Sequence, residues 1–109
     1  MTKPLSVQEF DDNDYIPDFV NENYKKYLIT INNIILANKL KKEKILKHRY
    51  VCYVNDESMI NMSYIFLYIS KLFENQGWIV NLELPSNSNR KIVIEILHPK
   101  SIFLNDTHD

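Results

Sequence analysis

The residues of this 109-residue chain that could do chemistry are few and scattered: one cysteine, three histidines and a run of cations. His48 and Cys52 are the nearest thing to a thiol–imidazole pair. Four residues apart on an extended strand, they share a face but stand about 13 Å from each other. That is beyond the hydrogen bond such a pair requires, and Cys52 reads instead as a small apolar residue turned to a core. His98 and His108 fall near or in the tail, so no two-by-two Cys/His set for zinc can be assembled. Asp11, Asn13 and Glu22 match the first, third and twelfth positions of a calcium loop. Ile16 stands where that loop needs glycine and Pro17 follows, so the segment reads as a solvated acidic arm. Gly77 is the sole glycine, which leaves nothing from which to build a phosphate loop, a dinucleotide fingerprint or a nucleophile elbow. No catalytic residue, metal ligand or cofactor is assigned, and an enzyme is not expected.

Charge is the more distinctive signal. Lys39, Lys41, Lys42, Lys44, Lys47 and Arg49 crowd one segment against the single acid Glu43, and Arg90 and Lys91 add two cations further on. These eight residues are the candidates for tracking a phosphate backbone. Lysine supplies charge rather than base-edge readout, and cations are equally at home at the C-terminal end of a solvated helix. The first 23 residues are the reverse, with Glu9, Asp11, Asp12, Asp14, Asp18 and Glu22 against Lys3. The opposition predicts attraction between the acidic arm and the basic segment, within one chain or between neighbouring copies.

The elements that must carry these groups are legible in outline. Residues 1–18 lack apolar periodicity and contain Pro4 and Pro17, so they read as an extended acidic arm whose Phe10, Tyr15 and Ile16 are candidate anchors. From Asp18, a candidate N-cap, the residues Val20, Tyr24, Tyr27, Leu28, Ile31, Ile34 and Ile35 recur at helical spacing, although Tyr27–Ile31 before Asn32-Asn33 also permits a hairpin. His48–Val54 is rich in β-formers and reads as a strand. Asn55 then caps a helix expected over Asp56–Gln76, with a buried stripe of Met62, Ile65, Phe66, Ile69, Leu72 and Phe73. Gly77 supplies the left-handed stop, and Trp78 follows to close it.

Trp78–Leu84 and Lys91–Ile96 alternate as two strands of a hairpin around the polar loop Pro85–Asn89. The expected register sets Leu82 opposite Ile92, Val80 opposite Ile94 and Glu83 opposite Lys91, because a one-residue slip would turn Leu82 to the charged face. Pro99 ends the last strand. Tyr64 and Tyr68, one helical turn apart and off the main stripe, form an aromatic secondary face that either marks a protein interface or is a rim packed under the first helix.

The fold expected is therefore α+β: two helices packed on a small three-stranded sheet, in the order helix, strand, helix, β-hairpin. The extended acidic arm (1–18) precedes a single domain (19–99) and a polar tail (100–109) follows. A core of this size buries only about 60% of the unfolded surface, which favours a protein partner or a homo-oligomer. One glycine, one alanine and two arginines against many Ile, Asn, Lys and Tyr are typical of AT-rich genomes, those of phages and large DNA viruses among them. Met1-Thr2-Lys3-Pro4 begins no apolar leader, and no stretch is long enough to span a bilayer. An intracellular protein without membrane association is expected. The function expected is a non-enzymatic interaction or assembly module, such as a virion accessory subunit or a host-protein-binding factor. The alternative is a nucleic-acid-binding domain using the Lys39–Arg49 segment.

Overall fold

The computed structural model describes residues 4–12, 15–41 and 45–101. Its elements follow the order α1 (Val7–Asp11), α2 (Asp18–Lys39), β1 (Lys47–Tyr53), α3 (Met59–Asn75), β2 (Ile79–Glu83) and β3 (Lys91–Leu97). The sheet order is β1-β3-β2. Both outer strands pair antiparallel with β3, so β1 and β2 run parallel with β3 inserted between them, a split β-α-β unit. The expected α+β class, with two long helices against a three-stranded sheet, is the architecture found.

Segment 27–33 is helical, and the hairpin alternative is excluded. The reason is tertiary: the three-to-four spacing puts Val20 and Ile31 wholly inside and packs Tyr24, Tyr27, Leu28 and Ile35 against the core. A hairpin would have turned alternate members of that set to water. Asp18 is the first helical residue rather than the cap. Pro17 precedes it, and Pro17 O accepts from Asn21 N–H at 3.0 Å.

α3 is shorter at its start than the sequence predicts. Asn55 and Ser58 cap each other reciprocally, Ser58 N–H donating to Asn55 Oδ1 at 2.9 Å and Asn55 N–H donating to Ser58 Oγ at 3.1 Å. That closed turn occupies 55–58, and the helix begins at Met59. Of its expected stripe Met62, Ile65, Phe66, Ile69 and Phe73 are buried and Leu72 is only half-buried, and Ser70 joins them, its hydroxyl donating back to Phe66 O at 2.8 Å. At the far end Trp78 N–H donates to Phe73 O and Gly77 N–H to Glu74 O. These are the two bonds of a Schellman stop. Gly77 has φ +96° and is the one described residue in the left-handed region.

The hairpin register is corrected by two residues: Leu82 faces Ile94, Val80 faces Ile96 and Glu83 faces Val93. Pro85 cannot donate to a ladder, and Ser86–Asn89 close on themselves through two backbone bonds. The β2–β3 ladder accordingly stops at Glu83 opposite Val93. A shift of two keeps every side chain on its expected face. Lys91 consequently lies opposite Tyr53 on β1, not opposite Glu83.

One face of the sheet carries Ile92, Ile94 and Ile96 with Tyr50, Cys52, Val80 and Leu82 against the helices. Val93, on the opposite face, is also buried, because β3 is flanked on both sides. The arm departs from the expected extended form. Ser6 accepts from Glu9 N–H at 3.0 Å and caps the five-residue α1, the S-x-x-E pattern of a capping box. Packing also reaches past the domain limits read from sequence, since Ile16 lies against the core and Ser101 is buried.

Candidate functional site

The long α2 carries a cleft at each end, and the residues singled out by sequence divide between them. The first, of about 190 Å³, forms where Tyr15, Ile16 and Pro17 meet Val20 of α2 and Tyr64, Leu67, Tyr68 and Lys71 of α3. Four of the five candidate interface residues therefore come together within one chain. Ile16 supplies the anchor, and Tyr68 meets Tyr24 edge to face at 5.0 Å. The Tyr15 hydroxyl is pushed above the usual tyrosine range by desolvation, then by the charge and hydrogen bond of Glu9 and by Asp18. Phe10 does not join them. It lies on α1 with 78% of its surface exposed.

The second cleft is larger, about 660 Å³, and opens beside the C-terminal end of α2. Ile35, Leu36, Ile45, Leu46 and Trp78 give it apolar walls, Asn38, His48 and His98 add polar groups, and Lys39 and Lys41 bring positive charge. Its geometry is set by a non-local knot. His48 on β1 is buried, and the Asn38 side-chain amide donates to its Nδ1 at 2.9 Å. Burial holds the imidazole below its ordinary pKa. Trp78, just past the Schellman stop, presents its ring to His48 at 5.9 Å and to His98 at 6.0 Å, both edge to face. His98 N–H continues the β1–β3 ladder by donating to Leu46 O at 2.8 Å, and His98 Nδ1 accepts from Lys100 N–H at 3.0 Å. Each histidine thus has its Nδ1 engaged.

The described basic residues lie on two elements of the fold, the end of α2 and the outer face of the sheet. Lys39 closes α2 and Lys41 follows, both exposed at the second cleft, while Lys42 and Lys44 lie outside the described residues. Lys47 and Arg49 alternate with His48 and so project from the sheet face away from the helices. There Lys47 pairs with Glu95 at 3.1 Å, and the register sets Arg49 opposite the same Glu95. Lys91 is on that face too, and Arg90, before β3, pairs with Asp56. Acids thus lie among the cations that the sequence set in one run. His48 and Cys52 face the helices together, as read from their spacing. Cys52 is half-buried and burial raises its thiol pKa. No group of three or more His, Cys, Asp or Glu able to hold a metal occurs among the described residues, and no described helix is long and apolar enough to cross a membrane.

The second cleft was not read from the sequence, because His48, Trp78, His98 and Asn38 are brought together only by the strand order. The one local signal was the pair of aromatic or imidazole residues flanking the strand ends, Trp78 before β2 and His98 after β3. No family model matches the chain, and no curated protein or solved structure matches it.

Proposed function

We propose that the protein is a non-enzymatic interaction or assembly module that makes protein contacts through the C-terminal end of α2. The observation that carries this reading is the cleft of about 660 Å³, lined in part by Leu36 and followed by Leu40 at the C-cap of α2, which are 57% and 87% exposed. Contiguous exposed apolar surface of this kind marks interaction sites. Asn38 is tied to His48, and His98 is held by the Lys100 backbone N–H, so these polar groups of the walls are preorganised.

The nucleic-acid alternative draws on the same lysines. It has less to stand on, since Lys47 and Arg90 are paired with acids and, among the described residues, Lys39 and Lys41 lie at the end of α2 while Arg49 and Lys91 lie on the outer sheet face. Amino-acid usage is the support for a phage or viral source, with an accessory role in a virion or against a host protein.

Sedimentation of the full-length chain tests the reading. A contact surface gives a mass above 13.0 kDa that rises with concentration and falls when Leu36 and Leu40 are both changed to glutamate. A monomer at every concentration that binds oligonucleotides with a steep salt dependence would overturn it in favour of the alternative.

A further inference from the structure

We infer that the occupant of the large cleft is the N-terminal arm of a second copy of this chain, inserted by Val7 and Phe10. The inference rests on the protein-contact reading and names its partner.

Two surfaces of the molecule are unsatisfied, and they complement each other. α1 buries none of its residues, and it holds Val7 79% and Phe10 78% exposed beside Glu9 and Asp11. A short helix that turns a valine and a phenylalanine to water gains nothing from doing so within its own chain. The cleft offers the opposite: apolar walls from Ile35, Leu36, Leu46 and Trp78, and a cationic edge from Lys39 and Lys41. Apolar anchor meets apolar wall and acid meets base, which is how interfaces fix both affinity and partner choice.

Distance decides that the arm comes from another copy. Tyr15 is held beside Val20 in the small cleft, and Leu36 lies sixteen helical residues further along, about 24 Å away at 1.5 Å per residue. With α1 kept helical from Val7 to Asp11 and the four steps from Asp11 to Tyr15 fully extended, Val7 reaches at most about 20 Å from Tyr15 and Phe10 about 16 Å. Both anchors of the intact α1 therefore fall short of their own cleft while Tyr15 stays docked. The contact is heterologous, with a different surface on each copy, and every copy carries both halves.

Full-length variants at exposed positions test this, with circular dichroism confirming that the fold is kept. Val7→Ser/Phe10→Ser should weaken self-association by roughly a hundredfold, as expected for two lost apolar anchors. Lys39→Glu/Lys41→Glu should weaken it by roughly tenfold or more through like-charge contact with Glu9 and Asp11. Mixing the two variants should restore association, because the first keeps an intact cleft and the second an intact arm. The product should stop at twice the 13.0 kDa chain, one arm in one cleft. If the wild type associates and both variants associate as well as it does, the arm is not the occupant and the contact reading survives without it. If the wild type is monomeric throughout, a second copy is not the occupant and this inference fails, and the contact reading fails with it only where the monomer also binds oligonucleotides with a steep salt dependence.

Discussion

The side-chain amide of Asn38, one residue from the end of α2, donates to Nδ1 of His48 on β1 at 2.9 Å. That bond ties the helix to the sheet edge and fixes the imidazole as the neutral Nε2–H tautomer. Burial lowers the His48 pKa from its ordinary 6.5. In the window between the lowered folded value and the unfolded one, the unfolded chain binds the proton and the folded chain does not. Stability from this group is therefore fully present above about pH 6.5 and is lost as pH falls below it. Melting temperature measured from pH 7.5 down to pH 5 should drop more for the wild type than for His48→Gln. Equal slopes would show that His48 is not held neutral.

Gly77 closes α3 at φ +96°, and a Cβ built there meets nothing within 4 Å. The cost of Gly77→Ala is thus conformational rather than steric, about 1–2 kcal/mol for an L-residue in the left-handed region. Gly77→Asn should recover part of it, because asparagine tolerates that region. Urea denaturation of the two variants measures the difference. An alanine variant as stable as the wild type would mean that the turn relaxes to another form.

Phe66 is wholly buried, with Tyr27 at 5.4 Å on one side and Tyr50 at 6.0 Å on the other. It joins α2, α3 and β1 in a single contact set. Phe66→Ala should cost about 3–5 kcal/mol, and the loss should be seen equally by far-ultraviolet and tyrosine signals, because all three elements lose the same support. A cost under about 1 kcal/mol would place Phe66 outside the core.

What the sequence made legible was periodic and local. The stripes of α2 and α3, the alternation of β2 and β3 and the stop at Gly77 are each encoded within a few residues, and each is found. The register is not legible locally, because beyond the closed Ser86–Asn89 turn it also depends on where Arg90 goes. Its pairing with Asp56 and the bond from Val54 N–H to Arg90 O are non-local. The Ser6–Glu9 cap was local and readable, but the acidic composition of the arm outweighed it. The basic residues are close in sequence and read there as one patch. A strand turns Lys47 and Arg49 to one face and His48 to the other, while Lys39 and Lys41 remain at the helix end.

Ile16 and Phe10 divide the arm into an anchored and a free part. Ile16 is half-buried against the core beside Tyr15 and Pro17, and Phe10 lies out on α1 with most of its surface in water. Ile16→Ala removes apolar surface that folding buries, and a half-buried isoleucine should lose about 1–2 kcal/mol. Phe10→Ala should leave monomer stability within about 0.5 kcal/mol of the wild type, the range for exposed positions. Urea titrations at low protein concentration isolate the monomer term. At higher concentration, association stabilises the folded state by mass action, so the Phe10 variant should then fall behind the wild type as the chain begins to self-associate. A Phe10 loss that is already complete at the lowest concentration would mean that the side chain packs within its own chain and is not available to a second copy.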